Sequence, residues 1–240
     1  MMPVAILFDL DDTILADSQG TAAAWASVCA QYAARLAPFT AEEALGAIND
    51  YRTWYWSDAE RHRIGRLDLG NARQQILATA LTRLGLDEAA AQPLAEQMAR
   101  DYARLREESI QPLPGALDTL RKLRARGVRL ALITNGAAIA QRRKIERHQL
   151  APFFELILVE GEFGVGKPDE RVYRHALTTL QLAPQQVWMV GDNLVWDVAA
   201  PQRLGITGIW HDLAGDGLPP DSAIRPDRIV RSLPELLQPS

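Results

Sequence analysis

The chain is expected to be an α/β protein in which one doubly wound parallel sheet is interrupted after its first strand by an all-helical insertion. Three observations predict this. The apolar runs at 4–8, 128–134, 155–159 and 187–190, with a shorter one near Thr207 to Trp210, are continuous rather than alternating, as strands buried on both faces are. Segments of helical period separate the later runs, and repeated β-α-β units imply parallel strands joined by right-handed crossovers. No convincing strand lies between about 16 and 110, yet the opening run needs partners that only the later strands can provide.

Each element has a local reason. Residues from about 20 to 37 carry one apolar stripe through Trp25, Val28, Cys29, Tyr32 and Leu36, which reads as one amphipathic helix. Thr40 followed by Glu43 has the capping-box form that starts a second. A third helix spans Asn71 to Leu84 and stops at Gly85, and a fourth spans Pro93 to Arg106 with proline in its first turn. Pro112-Leu113-Pro114-Gly115 then punctuates the chain. Beyond it a helix ends at Gly127, and further helices are expected at 137–148, 169–181 and 195–204. The segment from His211 to Asp227, rich in Gly, Pro and Asp, reads as a surface loop. The domain division is therefore 1–15 with 111–240 for the core and 16–110 for the insertion.

Composition narrows the function. With 240 residues, 48% of them hydrophobic, the chain can bury a large core. A net charge of -4 and no concentrated basic run argue against nucleic acid as a partner. The first apolar run meets acid after a few residues and has no basic lead, so no signal peptide or membrane span is expected, and a cytoplasmic location is. Cys29 is the one cysteine, which excludes an internal disulfide, and its place on the apolar stripe makes it a core residue.

In an open parallel sheet, ligands bind beyond the carboxyl ends of the strands. Those ends carry Asp9 and Asp11 in Phe8-Asp9-Leu10-Asp11-Asp12-Thr13, then Thr134-Asn135-Gly136, the glycine-rich loop holding Lys167, and Gly191-Asp192. Crowded carboxylates repel one another unless a cation or a shared proton compensates. Asp9 and Asp192 are hard oxygen ligands of the kind Mg²⁺ takes, and a neutralised Asp9 can attack phosphorus to form an aspartyl-phosphate. Asp11 is placed to protonate the leaving oxygen and later to take a proton from water. The Thr134 hydroxyl, N–H groups around Asn135 and Lys167 can hold phosphate oxygens. Asp197 can anchor the metal site from behind or orient Lys167. Lysine occurs only at 122, 144 and 167 in this arginine-rich chain, which makes Lys167 at a strand-end loop informative.

As a set, DLDDT at 9–13, ITNG at 133–136, GKPD at 166–169 and GDNLVWD at 191–197 resemble the haloacid dehalogenase superfamily of Mg²⁺-dependent phosphohydrolases. The branch with pyrimidine nucleotidases and N-acylneuraminate-9-phosphatase is the most similar. The resemblance implies a Rossmann-like core, with Asp9 as nucleophile, Asp11 as acid/base and as a metal ligand through its backbone carbonyl, and Asp192 as the third protein ligand. It places Leu10, Thr134, Asn135 and Lys167 at the substrate phosphate, with Lys167 counted among the catalytic residues, and Asp197 and Asn193 behind the metal ligands. It also implies that the helical insertion is a cap. The expected function is Mg²⁺-dependent hydrolysis of a small-molecule phosphate ester. A phosphomutase of the same fold is the main alternative, and a phosphate-binding module without turnover is a weaker one. A dehalogenase would lack Asp11. In the cap, Arg61, Arg63 and Arg66 are the arginines expected to meet an anionic substrate.

Overall fold

The computed structural model describes residues 2–238. Its sheet comprises β1 (Ala5–Phe8), β2 (Arg129–Thr134), β3 (Leu156–Val159), β4 (Val187–Gly191), β5 (Thr207–His211) and β6 (Arg228–Val230). The order is β3-β2-β1-β4-β5-β6, and every pairing is parallel. The predicted doubly wound parallel sheet is therefore what the chain forms. All four β1 side chains are buried, which is why its run is apolar without alternation. Ala5 pairs with Arg129 on one side and Val187 on the other, so β1 is central. The chain leaves β1 toward β2 and leaves β4 toward β5, in opposite directions across the sheet. The gap between the ends of β1 and β4 is the switch point where such sheets bind ligands.

One face of this sheet packs Leu7, Ile133 and Met189 against Val172, Tyr173 and Ala176 of the helix Glu170–Leu180. The chain divides into two compact units, one made of residues up to Ala16 together with those from Gln111 onward, the other Asp17–Ile110. The second unit is all helical, with helices Thr21–Gln31, Ala33–Leu36, Ala41–Ser57, Ala59–Gly65, Leu69–Leu84 and Glu88–Ser109 around its own core. The Thr40–Glu43 capping box forms, and Gly85 ends its helix in the left-handed region at φ 119°. Among the described residues no helix is long and apolar enough to cross a membrane.

Three local expectations need correction, and one strand was not foreseen. The single helix expected over 20–37 breaks at Tyr32, whose hydroxyl donates to Asp101 at 2.9 Å. Pro93 does not open its helix, which starts at Glu88 and runs through it. The missing N–H there costs one helical bond, but Ala91, Leu94, Ala95 and Met98 continue the buried stripe across the proline. The helix expected at 195–204 is a wider π-helical turn, Leu194–Ala199, followed by the short helix Ala200–Gln202. Finally, β6 is a strand that no apolar run announced, being three residues long at the sheet edge with only Val230 buried.

Candidate active site

Asp9 follows β1 directly. Its N–H donates to Val190 O at 2.9 Å, so it continues the line of the sheet beside the end of β4. Leu10 turns its side chain fully into the core, while its carbonyl accepts from the N–H groups of Ile14 and Leu15 at 2.9 and 3.0 Å. Only its backbone is thus left to face a ligand. Asp192 follows Gly191 at the end of β4, and its carbonyl accepts from Trp210 Nε1 on β5 at 2.7 Å.

Lys167 is 1% exposed, and its Nζ lies 2.6 Å from both Asp9 Oδ1 and Asp197 Oδ1. Its peptide group is clamped by Asn135: Asn135 Nδ2 donates to Lys167 O at 2.7 Å, and Lys167 N–H donates to Asn135 Oδ1 at 2.8 Å. The Asn135 side chain is therefore spent on holding the loop. Gly166 makes this clamp feasible, because a Cβ there would sit 2.6 Å from Asn135 Oδ1.

Asp197 is brought back toward Asp192 by the π-helical turn, a widened turn of a type often found at functional sites. Asn193 builds that turn. Its Oδ1 accepts from Val195 and Trp196 N–H at 3.0 Å each, and its own N–H donates to Asp197 Oδ2 at 3.1 Å. A Cβ at Gly191 would fall 2.3 Å from Asp197 Cγ, so only glycine admits the carboxylate.

Asp9, Asp192 and Asp197 each offer a carboxylate oxygen, all within 4.8 Å of one another. Burial pushes Asp9 up to about 6, with Lys167 pulling it down and Asp197 pushing it further up. Burial, then Asp9 and Asp197, push Asp192 up to about 8. Burial works against the charge on Lys167, but Asp197 and Asp9 outweigh it and hold the ammonium well above its ordinary value. One ammonium among three close carboxylates leaves negative charge uncompensated, and this hard-oxygen set suits a divalent cation.

Asp11 lies apart from that trio. Its carboxylate accepts from Gln141 Nε2 at 2.9 Å and from Lys144 Nζ at 2.7 Å. The same Gln141 nitrogen lies 2.5 Å from Thr134 Oγ1, so one amide ties the end of β2 to Asp11. Gln141 and Lys144 sit on the helix Ala138–Arg147, and sequence reasoning missed both. The spacing of three that puts them on one helix face, together with the scarcity of lysine, was the available signal. Glu160, buried and accepting from Gly136 N–H at 2.9 Å, was also missed, as was His211, whose Nδ1 lies 3.0 Å from Asp12 O.

In the helical unit, the three arginines expected to meet substrate are engaged locally. Arg61 stacks 3.9 Å over the Trp54 ring and donates to Trp54 O and Tyr55 O, Arg63 pairs with Glu60, and Arg66 lies 3.2 Å from His62.

The chain is 35% identical over 249 residues to a phosphoserine phosphatase of Thermus thermophilus, covering 96% of both chains. It is 30% identical over 167 residues to the Escherichia coli pyrimidine 5'-nucleotidase YjjG, covering 66% of this chain and 73% of that one. The solved structure of the hydrolase YfnB from Bacillus subtilis superposes with a TM-score of 0.73 at 24% identity, covering 98% and 97%. The family model for haloacid dehalogenase-like hydrolases matches residues 4–205, from before β1 to beyond the π-helical turn, and the chain belongs to that family of enzymes.

Proposed function

We propose that the chain hydrolyses a small-molecule phosphate monoester through a phosphorylated Asp9. The observation that carries this is the placement of Asp9 at the β1/β4 switch point, with one oxygen held by Lys167 and the other accepting a long hydrogen bond of 3.3 Å from Thr13. Asp9 Oδ2 attacks phosphorus, and the ester oxygen leaves with a proton from Asp11. Water then attacks the acyl phosphate, giving its proton to Asp11 and releasing phosphate and a free Asp9. Lys167 Nζ and Thr134 Oγ1 hold phosphate oxygens, which supplies the positioning and charge stabilisation this chemistry mostly needs. A divalent cation, Mg²⁺ in this reading, would be held by the Asp9 and Asp192 carboxylates with the Asp11 carbonyl, and would offset the charge of carboxylates and phosphate. Asn193 and Asp197 brace this arrangement from behind. The helical unit takes the role of the cap, which selects the leaving group.

O-phospho-L-serine is the first substrate to try, because the phosphoserine phosphatase relative covers nearly all of the chain. Purified protein should release inorganic phosphate from it with Mg²⁺ and stop when a chelator is added. Phosphate release that is indifferent to the chelator, or absent from a panel of phosphorylated metabolites and p-nitrophenyl phosphate alike, would overturn the reading. Accumulation of an isomerised phosphate ester instead of free phosphate would identify a mutase.

A further inference from the structure

Among the described residues of the helix Ala138–Arg147, two are buried, Ile145 and Gln141. A side-chain amide in a buried position costs free energy unless its protons are bonded, so what Gln141 bonds explains its place there. Its Nε2 lies 2.9 Å from Asp11 Oδ2 and 2.5 Å from Thr134 Oγ1. The Asp11 carboxylate, whose other oxygen pairs with Lys144 Nζ at 2.7 Å, can only accept, so the amide atom facing it is the nitrogen and not the oxygen. That nitrogen carries two protons, one for Asp11 and one for Thr134.

The consequence falls on the Thr134 hydroxyl. A hydroxyl has one proton and two lone pairs, and its neighbours decide which of them faces a ligand. With Gln141 donating to it, Oγ1 is an acceptor on that side and its own proton must go elsewhere. Within the structure that proton goes to Asn135 O at 3.4 Å, a long bond that a phosphate oxygen can replace. An acceptor in place of the Gln141 nitrogen would draw the hydroxyl proton to itself and leave a lone pair for the phosphate. The helix that carries Gln141 is firmly mounted. Gly136, just before it, donates its N–H to the buried Glu160 carboxylate at 2.9 Å and accepts from Gly161 N–H at 3.0 Å. A Cβ at Gly161 would fall 2.5 Å from Ala138 N, so only glycine lets the end of β3 approach the helix start this closely.

We propose that Gln141 is a positioning residue for phosphate-ester hydrolysis: one amide makes the Thr134 hydroxyl a donor to the substrate phosphate and holds Asp11, the proton-transfer group, in register with it. This role presupposes the phosphatase reading. Lys144 bonds Asp11 from the other side and provides the comparison.

The test is steady-state kinetics on p-nitrophenyl phosphate and O-phospho-L-serine with Mg²⁺, using inorganic phosphate as product inhibitor. Gln141→Met, which keeps the length and removes both protons, should lower kcat roughly tenfold and raise the inhibition constant of phosphate roughly fivefold, as loss of one hydrogen bond at each group does. Lys144→Met should lower kcat alone. In a Thr134→Val background there is no hydroxyl to orient, so the added effect of Gln141→Met on phosphate inhibition should fall below about twofold. A residue that only packs the helix would weaken both backgrounds equally. Gln141→Glu keeps the shape but exchanges donors for acceptors, so it should be worse than Gln141→Met on both readouts, and it carries the same comparison if circular dichroism shows the Met variant unfolded. Equal phosphate inhibition in wild type and Gln141→Met, or the same loss with and without the Thr134 hydroxyl, overturns this role and leaves an active phosphatase. A wild type that releases no phosphate from any ester overturns the phosphatase reading and this role with it.

Discussion

Lys144 Nζ lies 2.7 Å from Asp11 Oδ1, an ion pair across 133 residues of sequence in which the ammonium is 16% exposed and the carboxylate 30%. With Gln141 on the other oxygen, both carboxylate atoms have a fixed donor, so the orientation of Asp11 is set by the helix that follows β2. Lys144→Met should lower kcat by about tenfold while leaving KM within about twofold, because in the proposed mechanism it loosens the proton-transfer group without removing it. Lys122→Met is the control, since Lys122 pairs with Asp118 at an exposed site and should change nothing. Equal kinetics for the two variants would detach Lys144 from the chemistry.

Asp9→Asn should abolish turnover, by several powers of ten, and leave the fold intact because no packing volume changes. Residual activity above about a tenth of wild type, with protein shown to be folded by circular dichroism, would remove Asp9 as nucleophile.

Lys167→Met should destabilise the fold by about 3–5 kcal/mol, the usual cost of leaving buried charges without their partner. Here two carboxylates, Asp9 and Asp197, lose the same ammonium. Adding Asp9→Asn to Lys167→Met should recover part of the loss, because one of those carboxylates is then gone. Denaturant unfolding of the single and double variants measures this. A double variant no more stable than Lys167→Met would mean the pair is not coupled. Lys167→Arg should also be severely impaired, since a bulky planar fork does not fit the space of an ammonium held by two carboxylates.

Asp192→Asn gives a pH test whose sign follows from the shift. The folded protein holds Asp192 up to about 8 against an ordinary value of 3.8, so the native state binds the proton more tightly than the unfolded chain. Metal-free wild type should therefore lose stability as pH rises between those values, and Asp192→Asn should lose less. The Tm difference between them should be small near pH 4 and largest above pH 8. Added Mg²⁺ should raise the Tm of wild type more than that of the variant. A pH-independent Tm difference would contradict the assigned environment.

Cys29 is 1% exposed, and burial pushes its thiol up to about 11. It should be inert to a thiol reagent in the native state and react fully in guanidinium, since thiolate and access are both required. Rapid native labelling, followed by absorbance, would contradict its place in the core.

The strands and the acidic strand ends were legible because burial on both faces writes itself as unbroken apolar runs, and strand ends then locate Asp9, Thr134 and Asp192 without further information. β6 was not legible. Three residues at an edge, with one buried, leave no apolar run to read. Gln141 and Lys144 were missed for a different reason: their spacing puts them on one helix face, but their approach to Asp11 depends on how the helix Ala138–Arg147 packs on the sheet, which no local pattern encodes. Pro93 misled because proline's preference for a first turn was weighed above the apolar stripe that continues through it.

The central position of β1 governs how the chain acquires its shape. Its partners begin at Arg129 and Val187, so the first strand leaves the ribosome long before either neighbour exists. The Asp17–Ile110 unit, by contrast, is contiguous, and even its contact of Tyr32 with Asp101 spans less chain than the pairings of β1 do. Low contact order favours rapid local folding, while a parallel sheet must wait for loop closure over long separations. During synthesis the helical unit is thus equipped to fold first, and the site residues after β1 come together only when β4 and the turn behind it have emerged.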